Sequence, residues 1–188
     1  MSRPERPFNG VESVSTGQKD IPEIVFGPSF ASVPDAAAVA AFRAELGAAT
    51  LAAVFDLWLN LGASGPAART AVSPRVFKAH LPRLAVLEFL AHQRDLKFRL
   101  VGTEIDDWVG VSMTGKRVRE VFRRSQDVFD LFWAPVCDAA RPRLDLGSLQ
   151  PFEKAFIQYR AVHLPLLDEQ GHVRFTLMAF ERRERARD

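Results

Sequence analysis

The sequence predicts an α+β protein: a five-stranded antiparallel sheet with central helices on one face, preceded by an N-terminal helical extension. Three observations predict this class. Apolar residues recur at three- and four-residue spacing over 36–61, as on an amphipathic helix. A period-two strand pattern over 96–101 gives way to helical spacing between Gly102 and Gly110. Near the end of the chain, two long apolar runs flank a four-residue turn, as in a β-hairpin.

Composition narrows the class of protein. The chain has 188 residues, 47% hydrophobic and 26% charged, which is typical of one globular domain with an appendage. The single cysteine, Cys137, excludes an intrachain disulfide framework. The N-terminus lacks the apolar core of a secretory signal, and no run of about 18 apolar residues exists. We therefore expect a cytoplasmic protein without a membrane span.

The chain divides into four segments. Residues 1–34 are rich in Pro, Gly, Ser and charge, which predicts a flexible tail. Residues 35–82 form the helical extension, and residues 83–182 form the domain that contains the sheet. Residues 183–188 are a short charged tail.

The elements follow one another in a readable order. Asp35 is placed as the N-cap of the first helix, and Ser73-Pro74 predicts the start of a short helix over 74–80. The apolar run 84–90 indicates a strand that is covered on both faces and that forms a hairpin with the next strand. A longer helix is predicted over 126–140, and a short strand at or near a sheet edge over 144–149.

The stretch from Leu96 to Phe122 carries the most specific motifs, FRLVGTEIDDWVG and MTGKRV. They resemble the "YRLVGT…GxxLTGR" signature of a PAS family common as small proteins in alphaproteobacteria. PLLDEQGHVRF likewise resembles the closing hairpin of PAS domains. The resemblance covers about Phe55 to Phe180. It implies a PAS-like fold and a sensory role, but it implies neither a particular ligand nor a reaction.

The resemblance also implies a cavity between the central helices and the sheet, where PAS relatives bind small molecules. The alternative is that the large side chains in this region only fill the core. Which strand residues face the cavity stays open, because both parities of the long strand carry apolar residues. The candidate lining residues are Trp108, Phe129, Trp133, Tyr159, Arg160 and Thr176.

The sequence contains no recognisable catalytic or metal-binding constellation. Its histidines lack metal-ligand spacing, and Cys137 lacks the motif of the flavin photosensors. We therefore expect that the protein binds no metal, haem or flavin. Any ligand is expected to be a small molecule, whose identity the sequence does not give. The basic run 116–124 is interleaved with apolar anchors, which favours a solvated face over a nucleic-acid site.

The helical segment 36–61 carries more apolar surface than one sheet face requires. Large exposed apolar patches are uncommon on monomers, which predicts a homodimer through this segment. The alternative is that Gly47 splits the helix and lets both halves fold onto their own sheet. The candidate dimer residues are Phe42, Leu46, Phe55 and Trp58.

Three function classes follow. The first is a single-domain PAS module, without an effector domain of its own, that binds a small ligand, a protein partner, or both. The second is a structural homodimer or adaptor whose core is filled by its own side chains. The third is a small enzyme in a cup-shaped α+β fold. This class is the weakest, because the sequence shows no nucleophile–base pair. We expect a sensor rather than an enzyme.

Overall fold

The computed structural model describes residues 12–14, 23–62, 65–121, 140–149 and 154–183. The helices in these ranges are α1 (Ala36–Glu45), α2 (Ala49–Gly62), α3 (Thr103–Val109) and α4 (Val118–Val121). The strands are β1 (Glu12–Val14), β2 (Glu23–Phe26), β3 (Ala67–Ala68), β4 (Leu84–Leu90), β5 (Asp95–Val101), β6 (Arg143–Leu149), β7 (Lys154–Leu167) and β8 (Val173–Arg183). The helix predicted over 126–140 lies outside the described residues except at its last position.

The strands form one sheet in the order β1-β2-β6-β7-β8-β4-β5, with every neighbouring pair antiparallel. The short strand β3 pairs in parallel with the end of β7. The predicted five-stranded antiparallel sheet is confirmed as β4 to β8. The short helix predicted over 74–80 is instead a series of turns, in which Phe77 and Val76 both donate to the carbonyl of Ser73.

Two further strands extend the sheet beyond β6. Within the segment predicted as a flexible tail, β2 pairs with β6, and Ile24 and Val25 are 2% and 6% exposed. The flexible-tail prediction is therefore wrong for residues 23–26, whose order comes from burial rather than from any local periodicity. Strand β6 was predicted at or near a sheet edge. It has a neighbour on both sides and lies third from one end of the sheet, so it is near the edge and not at it.

Alternating side chains build a separate core on each face of the sheet. Val86 packs under α1 and α2, on what we call the outer face, whereas Leu87 packs with α3 and α4 on the inner face. The same alternation runs through β8, where Leu177 belongs to the outer core and Met178 to the inner core. The central helices thus lie on one face, as predicted.

Gly47 separates α1 from α2 and allows both helices to lie on the outer face. It has a φ of +61°, a conformation that favours glycine. A Cβ at this position would lie 1.9 Å from Nη1 of Arg160, which donates hydrogen bonds to the carbonyls of Glu45 and Leu46 at 3.2 and 2.9 Å. The end of α1 is thereby held by a side chain of β7.

The side chains predicted to form a dimer surface lie in the core of their own chain. Each is 0% exposed, and the indole N–H of Trp58 donates to the carbonyl of Pro165 at 2.8 Å. The apolar residues of both helices pack against the sheet, because the break at Gly47 lets α1 and α2 each turn their apolar side toward it. These residues therefore cannot form the surface on which two copies would meet: Phe42, Leu46, Phe55 and Trp58.

Two of the glycines in the signature motifs, Gly102 and Gly115, are required for different physical reasons. A Cβ on Gly102 would lie 2.3 Å from the carbonyl oxygens of both Leu81 and Pro82, so only glycine fits where β5 passes this backbone. Gly115 meets nothing within 4 Å but has a φ of +85°. Its N–H donates to the carbonyl of Phe98, which ties the turn before α4 to β5. The first glycine is required by space and the second by conformation.

Candidate ligand site on the inner face

Strand β6 brings two charged side chains to the inner face. In the run Arg143-Leu144-Asp145, Leu144 packs in the outer core, so its neighbours point inward. In β7, Val162 likewise belongs to the outer core, which places His163 on the inner face. Arg143 and His163 are directly opposite in the register of β6 and β7. Residues from two strands thus meet at one place.

The three side chains form a buried ion cluster. Nη2 of Arg143 donates to Oδ2 of Asp145 at 2.6 Å, and Nε2 of His163 lies 2.9 Å from the same oxygen. Arg143 and His163 are each 1% exposed and Asp145 is 3% exposed. Ionised side chains are rarely buried unless they are paired, and here two nitrogen atoms converge on one carboxylate oxygen.

The electrostatics of the cluster fix its charge. Burial raises the pKa of Asp145, but the attraction of Arg143 and His163 outweighs burial and lowers that pKa to about 2. Burial lowers the pKa of His163, and the neighbouring carboxylate offsets this only in part. At neutral pH the cluster therefore holds one cationic guanidinium, which does not deprotonate in proteins, one carboxylate and one neutral imidazole. Its net charge is zero.

Among the described residues, two buried side-chain oxygen atoms on this face have no hydrogen-bond partner. Oδ1 of Asp145 and Oγ1 of Thr176 are buried and have no hydrogen-bond partner within the described part of the chain. Thr176 is 0% exposed and lies opposite Pro165, two residues along β7 from His163, so it belongs to the same face. Buried polar atoms almost always find a partner, so these two oxygens require an explanation.

The predicted pocket residues are divided between the two faces. Tyr159 lies on the inner face, where its ring contacts Phe180 at 5.9 Å between centroids. Burial, reinforced by the charge of Asp145, raises the pKa of its hydroxyl. Trp108 is half-buried on α3, and its carbonyl accepts a hydrogen bond from Nζ of Lys154 at 2.9 Å.

Arg160 is the prediction that the structure contradicts. It follows Tyr159 in β7 and therefore points to the outer face, where it contacts the end of α1. It cannot line a cavity on the inner face. Phe129 and Trp133 lie outside the described residues, so their predicted place in the pocket stays a prediction.

Sequence reasoning missed the role of Arg143 and Asp145. It interpreted His163 as a structural or solvated histidine, with an axial haem ligand as the alternative. The available signal was the alternation of charged and apolar residues in RLDL. At a sheet edge such alternation indicates a solvated face, whereas β2 and β7 enclose this strand. Within the described residues, no group of His, Cys, Asp and Glu has the arrangement of a metal site, and no helix is long and apolar enough to cross a membrane.

A family comparison agrees with this geometry. The family model described as "PAS domain" matches residues 47–177, well over half of the chain. The chain belongs to this PAS-domain family. PAS domains are typically sensory modules, and many mediate protein interactions. Comparisons with curated proteins and with solved structures gave no match.

The match begins at Gly47, so it includes α2 as well as the sheet and the central helices. This agrees with the packing of α2 on the outer face, where Leu51, Val54 and Phe55 are fully buried. The match ends at Leu177, within the last strand.

Proposed function

We propose that this chain is a cytoplasmic sensory module that binds a small ligand on the inner face of its PAS sheet and transmits the result to a protein partner. The observation that carries the proposal is the buried cluster of Arg143, Asp145 and His163. Oδ1 of Asp145 and Oγ1 of Thr176 add to it, because neither has a hydrogen-bond partner among the described residues. The central helices lie on the same face, where ligand sites of PAS domains are expected.

A core filled only by the protein's own side chains would gain no stability from this buried charged cluster. Replacing a buried ion pair by apolar residues of similar volume is often neutral, or stabilising by about 1–4 kcal/mol. Each buried polar group left unpaired costs a further amount of about 1–3 kcal/mol. A role in recognition accounts for keeping both features, whereas the adaptor with a self-filled core does not.

Self-association is the second part of the proposal. Its support is that PAS domains often dimerise, and the surface must be other than the four buried side chains of α1 and α2. The apolar stripe of α1 and α2 is not available for self-association, because it already packs against the sheet.

Native mass spectrometry of the protein purified without denaturant tests both parts. We expect a mass above that of the 21.0 kDa chain, or above that of its dimer, and we expect the excess mass to be lost when the protein is unfolded and refolded. Asp145→Asn is expected to reduce the retained mass, whereas Asp56→Asn, which alters an exposed carboxylate on the outer face, is not. A chain that retains nothing, and whose melting temperature is the same before and after refolding, would contradict ligand binding.

A further inference from the structure

We propose that the part of the outer face around Glu88 binds an acidic segment of a protein partner. Three cationic side chains lie at this buried carboxylate, and we call them the basic patch: Lys97, Arg99 and Arg174. The inference rests on the proposed function, to which it adds the chemistry of the protein partner and the surface that this partner meets. It uses none of the residues of the inner-face cluster.

Glu88 points to the outer face of β4. Its neighbours in the strand, Leu87 and Phe89, both pack in the inner core, so the side chain between them points the other way. It is 3% exposed, which is rare for a carboxylate unless cations pair with it. Nε of Arg99 donates to Oε2 at 2.5 Å, and Nε of Arg174 donates to Oε1 at 3.0 Å. Both oxygens are therefore already paired within the chain.

Two irregularities of the sheet place these arginines. The register of β5 against β4 skips Arg99, and the register of β8 against β7 skips Arg174. Each arginine is thus the extra residue of a β-bulge, a feature that interrupts the ladder and changes the direction of a side chain. Strands β5 and β8 flank β4, so the two guanidinium groups reach Glu88 from opposite sides. One arginine can pair with both oxygens of a carboxylate, so the second exceeds what Glu88 requires.

The basic patch carries more positive charge than Glu88 neutralises. Lys97 lies directly opposite Glu88 in the register of β4 and β5 and therefore belongs to the same face. Three cations at one carboxylate leave an excess of two positive charges. The side chains of Arg99 and Arg174 are 43% and 51% exposed, and each guanidinium has five N–H donors, of which Glu88 uses only some. The remaining donors can bind anionic groups.

The spacing of the basic patch favours a partner with several carboxylates over one small anion. Arg99 and Arg174 lie on strands two positions apart in the sheet, so their backbones are separated by about 10 Å. A single anion between them would face the carboxylate of Glu88. Acidic residues three positions apart in an extended segment span about the same distance. Phe175, opposite Glu88 on β8, adds partly buried aromatic surface, and arginine beside an aromatic ring is typical of protein interfaces.

The test titrates the full chain into a fluorescein-labelled octaglutamate peptide at low salt and follows fluorescence anisotropy. We expect Arg174→Gln and Lys97→Gln each to weaken binding about fivefold, the upper range for a solvent-exposed ion pair. Lys97→Gln leaves both pairs of Glu88 intact, so the test does not depend on how well the Arg174 variant folds. Arg43→Gln is the matched control, because the side chain of Arg43 is 50% exposed and paired with Asp56. It removes the same charge elsewhere and should weaken binding less than about twofold.

The outcomes separate this inference from the proposed ligand site. Equal losses from Arg174→Gln and Arg43→Gln would indicate attraction to net charge alone and would overturn the inference. Tighter binding of an oligothymidylate of the same length, or of vesicles that contain phosphatidylserine, would overturn it as well, and so would no binding of octaglutamate at about 1 mM. A chain that retains a small molecule in native mass spectrometry but does not bind octaglutamate loses only the basic patch as a docking surface. A chain that binds octaglutamate but retains nothing loses only the ligand.

Discussion

Thr176→Val is expected to stabilise the ligand-free protein. Valine has the shape of threonine and suits a strand, so the change removes the buried hydroxyl and little else. Oγ1 has no hydrogen-bond partner among the described residues, and the cost of burying such a group is about 1–3 kcal/mol. We expect the free energy of unfolding to rise by about 1 kcal/mol. For a chain of this size, that corresponds to about 2–4 °C in melting temperature.

The assay is a thermal melt and a urea titration of refolded protein, with Thr50→Val as the matched control. Thr50 lies on α2, where valine and threonine have similar helix propensity, so its change should stay within about 0.5 kcal/mol. Protein that retains a ligand should show a smaller or reversed gain, because the variant also loses ligand contacts. A ligand-free Thr176→Val protein that melts below the wild type would refute the reasoning, since the hydroxyl would then be paired in the folded state.

Three further changes test the fold and the cluster. Gly102→Ala should lower the free energy of unfolding, measured by urea denaturation, by about 3 kcal/mol, because its Cβ would collide with backbone. Gly115→Ala has open space but a positive φ and should lower it by only about 1 kcal/mol. Equal losses would contradict the spatial explanation. Acidification below pH 6.5 should lower the free energy of unfolding by at most about 1.4 kcal/mol per pH unit, because His163 binds a proton in the unfolded chain but not in its buried position. Asp145, with a pKa of about 2 instead of 3.8, adds to the loss of stability below pH 4. A His163→Gln variant whose stability has the same pH slope above pH 4.5 would argue against this assignment. Arg160→Met should cost about 1–2 kcal/mol by removing the hydrogen bonds to the end of α1, and a variant as stable as wild type would show that these bonds contribute nothing.

The sheet and its central helices could be predicted because their signals are local. The alternation over 96–101, the change of period at Gly102 and the turn before Val173 each depend on neighbouring residues. Strand β2 could not be found in this way. Four residues are too few to establish a period, and Ile24 and Val25 are ordered by pairing with a strand more than a hundred residues away.

The inner-face cluster escaped prediction for a related reason. Apolar residues occupy both parities of β7 because both faces of the sheet are covered, so the pattern does not show which residues point inward. Only the register of β6 against β7 brings Arg143 opposite His163. Side-chain direction then assigns Tyr159 to the site and Arg160 to the opposite face, a distinction that a list of polar residues on one strand does not contain.

The same strand gives the proposed site a physical route to the outer surface. Within β7, His163 belongs to the inner cluster, while Arg160, three residues away, holds the carbonyls at the end of α1 on the other face. A change in the position or twist of the β7 backbone therefore changes contacts on both faces of the sheet. A ligand can shift such an arrangement only if it binds one form more tightly than the other. The corner between α1 and α2 is the part of the outer surface that β7 connects to the inner cluster.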